Sequence, residues 1–490
     1  DGIRDVAVTG VQTCALPIAP QFKTRSREKL ADANLQAALK KLQGNFVKGR
    51  ADRVAELENF PAIRDAAADI RSRTLENLDA YLEEFERNAT AAGATVHWAE
   101  TTGEVNRIVC ELAARYSVKK AVKSKSMVTE ECALNEALEA AGVKVVETDL
   151  GEYILQLAND PPSHIIAPAI HLTKEQVSDV FEVKHERPRR TDIPGMCQEA
   201  REMLRGHFVT ADMGISGANF IVAETGSTLI VTNEGNGRMV TTLPRVHVAI
   251  TGIEKVVPTL EDLSTLIRLL PRHATGQTIS NYVSVTTGPQ REGDSDGPQH
   301  FHIILLDGGR TKLLGGDMQD MLRCIRCGAC MNHCPVYQSV GGHAYGWVYP
   351  GPMGAVLTPT YAGLENARDL PNAATLCGQC SVACPVKIPL PDLLRKLRER
   401  QFEQGLKPAM EAWGLALWRW AAQRPAIYAM LAKVGARVLA TMATKHDGGK
   451  RLIHALPMGG GWTDGRDMPA PTGTNGKTFR ELYQARQNRQ

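Results

Sequence analysis

No run of about twenty uncharged apolar residues occurs in this 490-residue chain, and a helix needs about that many to cross a bilayer. The nearest candidate, residues 425–443, is interrupted by Lys433 and Arg437. Net charge is also nearly absent. The 57 Lys and Arg against 54 Asp and Glu leave +3, with no basic stripe interleaved with aromatics, which argues against a nucleic-acid partner. No G-x-G-x-x-G follows the first strand-like run and no P-loop occurs, so the usual phosphate-cradling fingerprints are missing. A disulfide framework is missing too. Of eleven cysteines, Cys14, Cys110, Cys132 and Cys197 are scattered, and the other seven crowd into the 61 residues from Cys324 to Cys384. That is the distribution of a ligand cluster in a compartment that keeps thiols reduced, so the cytoplasm is the expected location.

The remaining composition is that of a globular protein, 43% apolar and 23% charged, and the length calls for two or three domains. The opening DGIRDVAVTGVQTCALPI reads as neither a signal peptide nor a helix. Asp1 and Asp5 stand where a basic start is needed, and Thr9, Gly10, Gln12 and Thr13 break any apolar core. Residues 1–18 resemble translated sequencing-adapter read-through and are expected to be non-native, which removes Cys14 from the functional residues.

Residues 19–93 are expected to be helical, with Ile63, Ala67, Ile70, Thr74, Leu75, Leu78, Leu82 and Phe85 recurring at three and four. From residue 94 short β-rich runs alternate with helical stretches: ATVHWA, KKAVKS, VKVVET and SHIIAP, with helices near 103–116, 130–140 and 174–182. After the basic loop KHERPRRTDIPG come strands separated by Gly-rich turns: ANFIVAET, STLIVTNEGNG, RVHVAITG, NYVSVTT and FHIILLDGG. The alternation predicts one α/β domain over 94–309, built on a parallel or mixed sheet. The cysteine block, 312–391, is too poor in apolar runs for a core of its own, so metal is expected to organise it. Residues 392–460 read as helical, including the Trp-rich AWGLALWRWAAQ, and 461–490 as a flexible tail.

The strongest signal is C-I-R-C-G-A-C-M-N-H-C-P, where Cys324, Cys327, Cys330 and Cys334 follow x2, x2, x3 spacing and Pro335 follows the last. Three closely spaced thiolates can hold three irons of one cubane, and the fourth ligates a neighbouring cluster. A second motif, L-C-G-Q-C-S-V-A-C-P, supplies Cys377, Cys380, Cys384 and Pro385, with Ala374 where a first cysteine would stand. Exchange of fourth ligands gives one cluster Cys324, Cys327, Cys330 and Cys384. The other has Cys334, Cys377 and Cys380. Two clusters of the 4Fe–4S type are expected. The second is one thiolate short: it is either 3Fe–4S, or 4Fe–4S completed by water, substrate, a partner, or a residue such as Cys197 or His333. Zinc is the competing occupant of CxxC pairs, and His333 and His343 read more readily as hydrogen-bonded side chains than as ligands. Thiolate-bound iron changes charge by one electron with little rearrangement, so the block suits electron transfer.

The Gly-rich turns offer weaker signals. Gly226, Ser227, Gly235, Gly237 and Arg238 form a candidate anion site, with Gly214 and Gly217 at other strand ends. Glu224 and Glu234 flank it as candidate catalytic or turn-capping carboxylates. Lys123, Lys125 and Ser126 precede a capped helix and could cradle an anion or simply cap it.

The segments SKSMVTEECALNEALEAAG, DPPSHIIAPAIHL and GANFIVAETGSTLIVTNEGNGRM, in that order before the paired cysteine motifs, resemble the iron–sulfur subunit of the lactate-utilization system, the LutB family. The resemblance runs from about residue 22 to 480. It implies a LUD domain related to ribose-phosphate isomerase and CoA-transferase folds, then a ferredoxin-like two-cluster lobe and a helical C-terminus. The family carries the seven-cysteine pattern too. It implies an electron-transfer role in oxidising L-lactate to pyruvate with two partner subunits and an electron acceptor. The kinship to CoA-transferases points to Glu224 as a nucleophile by fold analogy alone. Two alternatives stay open: a catalytic hydroxy-acid dehydrogenase with substrate at the open iron or the Gly-rich loops, and a non-redox sugar-phosphate or CoA-binding enzyme with a structural cluster. The apolar, Lys- and Arg-dotted C-terminal helices, with Trp413, Trp418 and Trp420, leave room for a partner contact or peripheral attachment to a membrane.

Overall fold

The computed structural model describes residues 21–445, 451–457, 459, 463, 466–471 and 476–488. Residues 1–18, expected to be read-through, lie outside the described residues. The chain divides into two compact units that meet between Gln404 and Gly405.

The first unit begins with helices α1 (Phe22–Ala31), α2 (Ala33–Leu42), α3 (Gly49–Ala55), α4 (Phe60–Glu76) and α5 (Leu78–Ala91). The spacing of three and four puts Ala67, Ile70, Thr74 and Leu75 on the buried side of α4, and Leu78, Leu82 and Phe85 on that of α5. Pro61 at the first turn of α4 costs no hydrogen bond, because that N–H would have no partner in the helix.

The α/β part follows: β1 (Thr95–Ala99), α6 (Thr102–Arg115), β2 (Lys120–Lys123), α7 (Met127–Glu131), α8 (Leu134–Ala140), β3 (Lys144–Glu147), α9 (Leu150–Ala158), α10 (Lys174–His185), α11 (Ile193–Val209), β4 (Met213–Gly217), β5 (Phe220–Val222), β6 (Ser227–Thr232), α12 (Asn236–Thr242), β7 (Val246–Gly252), β8 (Val256–Val257), α13 (Leu260–Ala274), β9 (Tyr282–Thr286) and β10 (His300–Leu306). Six strands pair in the order β1-β10-β7-β4-β2-β3, every pair parallel. All seven residues of β7 are buried, as a central parallel strand covered on both faces requires. A smaller sheet, β8-β5-β6-β9, is mixed: β5 runs parallel to β8, while β5–β6 and β6–β9 are antiparallel.

The architecture is the expected one, with local differences. SHIIAP is not a strand but part of an irregular loop between α9 and α10. Pro161, Pro162 and Pro168 restrict this loop, and His164 Nδ1 accepts the Ile166 and Ala167 N–H groups, both at 3.0 Å, so those donors are unavailable to a ladder. The helix expected over 130–140 is two helices, broken where Ala133 turns left-handed at φ 48°. Helices α11 and α13 go beyond the sequence expectation.

The cysteine block carries α14 (Ala329–Asn332), α15 (Pro335–Val340), α16 (Gly351–Tyr361), α17 (Gln379–Ala383) and α18 (Leu390–Glu403), joined by short 3₁₀ turns. Its apolar side chains do not stand alone. Tyr337, Tyr345, Leu393 and Leu397 share one core with Leu35, Leu39 and Leu42 of α2 and with Leu266 and Leu269 of α13. Side chains from the N-terminal helices and the α/β part thus supply apolar support that the block's own sequence lacks.

The second unit has α19 (Ala409–Ala422), α20 (Pro425–Thr441), a three-stranded antiparallel sheet of β11 (Thr444–Lys445), β12 (Arg451–Ile453) and β13 (Met468–Pro469), and α21 (Phe479–Gln487). The stretch read as a tail therefore contains a helix. Thr478 and Glu481 form a reciprocal capping box at its start. Among the described residues no helix is long and apolar enough to cross a membrane.

Candidate metal centre

The two cysteine motifs fold as repeats of one backbone pattern. Arg326 and Leu376 are left-handed at φ 57° and 55°, and each precedes a cysteine, Cys327 or Cys377. A left-handed glycine comes next, Gly328 at 73° or Gly378 at 85°, then a short helix, α14 or α17, carrying Cys330 or Cys380. Each repeat ends on an extended Cys-Pro, Cys334-Pro335 or Cys384-Pro385. Reversing the chain this tightly turns several backbone N–H groups toward sulfur. The Arg326 N–H lies 3.4 Å from Cys324 Sγ and the Ile388 N–H 3.4 Å from Cys384 Sγ. Amides of Ala329, Val336, Tyr337, Gln379, Ser381 and Val386 similarly favour thiolate at Cys327, Cys334, Cys377, Cys380 and Cys384.

The sulfurs fall into two groups. Cys324, Cys327, Cys330 and Cys384 line one small cavity with Met321, Ile325, Met353 and Val386. Cys334, Cys377 and Cys380 act on one another's ionisation in a second group. Burial pushes the Cys327, Cys330, Cys334 and Cys384 thiols up, and Cys380 up to about 12. The exposed Cys377 is lowered, first by its hydrogen bond with Thr375. Buried thiols of this kind need the charge of metal ions to become thiolates.

The donor set fits iron–sulfur clusters better than zinc. Among the described residues no three of the seven sulfurs lie within 4.8 Å of one another. Tetrahedral zinc with bonds of about 2.3 Å would draw its sulfurs to about 3.8 Å. A cubane interposes irons and spreads its ligands wider. The buried Tyr345 hydroxyl has no hydrogen-bond partner among the described residues and feels Cys334 and Cys330, so a cluster sulfide would give it an acceptor.

The first group sits among cations. Arg50, Arg64, Arg71, Lys255 and Arg326 each interact electrostatically with Cys324, Cys327 or Cys384. Arg64 Nε donates to Cys384 O at 2.7 Å and Lys255 Nζ to Cys324 O at 2.8 Å. Arg71, fully buried, donates to carbonyls of Glu254, Val256 and Leu322. Glu254 ties these groups to the α/β part, accepting from Arg310 Nε at 2.7 Å and pairing with Arg326 at 3.5 Å. Burial works to raise the Glu254 carboxyl, but Arg310, Lys255 and Arg326 overcome it and hold it at about 2. Arg310 continues to Glu131 at 3.0 Å, which accepts the Tyr349 hydroxyl at 2.7 Å.

Comparison with known proteins gives the same succession of parts. The LUD domain family matches residues 82–306, a 4Fe–4S dicluster domain matches 320–388, and the C-terminal domain of lactate utilisation protein B matches 395–488. Lactate utilization protein B of Shouchella clausii is 44% identical over 473 residues, 95% of this chain and 97% of its own. The Geobacillus kaustophilus protein of the same name is 44% identical over 468 residues, again 95% and 97% of the two chains. The chain belongs to the lactate utilization protein B family. A crystal structure of a DUF162 family protein from Deinococcus radiodurans also aligns, at 12% identity over 47% of this chain and 98% of its own, with a TM-score of 0.27.

In this member of the LutB family a cavity of about 300 Å³ adjoins the first cysteine group, lined by Ser124, Lys125, Ser126, Asn219, Glu234 and Asn236 from the α/β part and by Lys255, Ile325 and Arg326. The candidates in the Gly-rich turns divide. Lys125, Ser126 and Glu234 reach the cavity, and Gly235 and Gly237 lie beside it at the start of α12. Gly226 and Ser227 stand at the opposite end of β6. A Cβ on Gly226 would come within 2.1 Å of Ala89 N, and Ser227 Oγ bonds Thr287 Oγ1 at 2.6 Å. Arg238 is exposed, away from the lining. Glu224 accepts the Leu260 N–H at 3.0 Å at the start of α13, and Lys123 is buried between Glu130 and Glu147, each at 2.8 Å. Cys197 lies exposed on α11, whose buried residues pack with Val122 and Tyr153 and not with the cysteine core. His333 Nδ1 is hydrogen-bonded to Ala329 O at 2.8 Å. The cations at the first group went unread except where Arg326 lies inside the motif, since nothing in the local sequence around Arg50, Arg71 or Lys255 announces burial beside a distant cysteine.

Proposed function

We propose that the chain is the iron–sulfur electron-transfer subunit of a complex that oxidises L-lactate to pyruvate. The observation that carries this reading is the separation of the seven cysteines into a four-thiol group under a cationic canopy and a three-thiol group of Cys334, Cys377 and Cys380. Cys324, Cys327, Cys330 and Cys384 would hold one 4Fe–4S cluster. Cys334, Cys377 and Cys380 would hold a second, of 3Fe–4S type or with a non-cysteine fourth ligand. Bound clusters supply reversible one-electron transfer. Oxidation of lactate releases two electrons and two protons, and clusters held by these cysteines would supply the one-electron carriers such a pair needs. The chain's own residues keep water from the first cysteine group through the shared core, direct amides to the sulfurs of both groups, and would offset charge at the first with Arg50, Arg64, Arg71, Lys255 and Arg326. Two partner subunits and an electron acceptor complete the reaction in the cytoplasm, with peripheral membrane contact compatible with the Trp-rich helices.

A second reading makes this chain the catalytic subunit, with the hydroxy acid in the cavity beside Cys324. Lys125, Ser126, Lys255 and Arg326 would meet its carboxylate there. The experiment is EPR of anaerobically purified protein before and after lactate, with and without its partners. Two clusters, about seven to eight irons with matching sulfide, and reduction by lactate only when partners are present support the first reading. Reduction of the isolated chain by lactate moves the active site onto it. Clusters that never change oxidation state, or bound zinc without iron, overturn both.

A further inference from the structure

Away from the cysteines, the irregular loop between α9 and α10 meets the turn His343–Tyr345. Asp160 and His171 belong to the loop and His343 to the turn. A carboxylate oxygen and two ring nitrogens, one from each residue, all lie within 4.8 Å of one another. We propose that Asp160, His171 and His343 form a site for a divalent transition-metal ion of the zinc, iron(II) or manganese(II) class.

The hydrogen bond at His343 fixes which of its nitrogens is free. His343 Nε2 lies 2.8 Å from Pro161 O, and a carbonyl only accepts, so Nε2 carries the proton and the neutral ring keeps its Nδ1 lone pair. Ser163 Oγ lies 2.6 Å from His171 Nδ1 and 3.2 Å from Pro168 O, and His171 Nε2 lies 2.9 Å from Asp160 Oδ2. With the hydroxyl donating to Pro168 O, Nδ1 carries the ring proton and Nε2 faces the carboxylate with a lone pair, as a metal ligand does. With the hydroxyl donating to His171, Nε2–H donates to Asp160, and an ion binds by displacing that proton. The outward N–H of His343, bonded to a carbonyl, is the arrangement that orients metal-ligating histidines.

The surroundings suit an ion. The site opens on a cavity of about 600 Å³ lined by Asp160, His343, Glu130, Glu147 and Glu152, with room for water ligands and an entry path. Lys29 of α1 acts on Asp160 and His343 and works against it, and Arg25 also lines the cavity. The three donors are held in place. The Tyr337 hydroxyl donates to Ser163 O at 2.8 Å, and a Cβ on Gly342 would come within 1.8 Å of that same oxygen, so only glycine lets the His343 turn press onto the loop. Two imidazoles and a carboxylate with open positions suit zinc, iron(II) and manganese(II) better than calcium or magnesium. An ion there would clamp the α/β part to the cysteine lobe.

The test uses the full chain with its clusters loaded, under anaerobic conditions, dialysed against zinc and assayed for zinc, iron and sulfide together. One zinc per chain is expected in addition to unchanged iron, with a rise in the thermal midpoint. His171→Ala and His343→Ala should weaken zinc retention by more than the roughly 10- to 100-fold typical of losing an outer-shell partner, and Ser163→Ala by about that lesser amount. Cluster absorbance reports whether each variant is folded, and Asp160→Asn, nearly isosteric, covers the case where an alanine variant is not. No zinc retained by the native chain, or equal retention in native, His171→Ala and Asp160→Asn proteins, overturns the proposal and leaves His171 hydrogen-bonded to Asp160.

Discussion

Arg50 shows how single buried charges govern the candidate centre. Its Nη2 donates to Ala383 O at 3.2 Å, and it interacts with both Cys327 and Cys384. Adding an electron to a cluster makes it more negative, so a nearby cation favours reduction. Arg50→Met is expected to shift the four-thiolate cluster to a more negative potential, while Arg50→Lys stays near native, in an EPR-monitored redox titration. Identical potentials in all three would remove Arg50 from cluster tuning. His247, in β7, makes a different residue-scale prediction. Burial, then His302, lowers its ring to about 3 from an ordinary 6.5, while Ser216 bonds Nε2 at 2.8 Å and Phe301 stacks on it at 4.7 Å. The unfolded chain binds this proton first as pH falls. The stability due to neutral His247 is therefore full above pH 6.5 and is lost on the way down to about 3. Within that window His247→Gln should remove about one proton, or about 1.4 kcal/mol per pH unit, from the slope of unfolding free energy measured by urea denaturation.

At the scale of elements, the two cysteine turns share a backbone but differ in ligands. Ala374 occupies the place matching Cys324, packed against the core, and its carbonyl accepts from Arg398 at 2.8 Å. Cys377 is exposed, whereas Cys327, its counterpart, is buried. A cluster held by three thiolates on an exposed turn should lose iron first in air, followed by iron release and EPR. Ala374→Cys should slow that loss. Equal decay of the two clusters in the native chain and no change in the variant would mean that another residue already completes the second site.

Across the whole molecule, all seven cysteines and the core around them lie within residues 1–404, and the second unit begins at Gly405. That unit exposes Trp413, Trp418 and Trp420 at 78%, 61% and 46%, with Leu417 and Met410 beside them in sequence. Exposed apolar side chains like these are expected where a partner docks. Deleting residues 411–490 is expected to leave iron content and cluster EPR intact and to weaken association with partner subunits in size-exclusion chromatography. Loss of the clusters on deletion would show that this segment protects them.

Features that depend on residues close together in the chain were legible before the fold was known. Cysteine spacing and the following prolines announced the metal-binding turns, because ligand geometry there is set by a few consecutive dihedrals. Alternating β-rich and helical runs announced the parallel sheet, because its central strands must be apolar on both faces. Features that depend on distant segments meeting came from the fold. Gly226 and Glu224 turned out to serve packing against α5 and the start of α13, while Lys255, 69 residues before Cys324, donates to its carbonyl. SHIIAP, which has strand composition, became a loop because His164 satisfies its amides and Asn332 holds His164 at 2.7 Å. The cations around the first cysteine group and the convergence of Asp160, His171 and His343 follow the same rule: charge acts through space at short range, and folding alone sets which charges become neighbours.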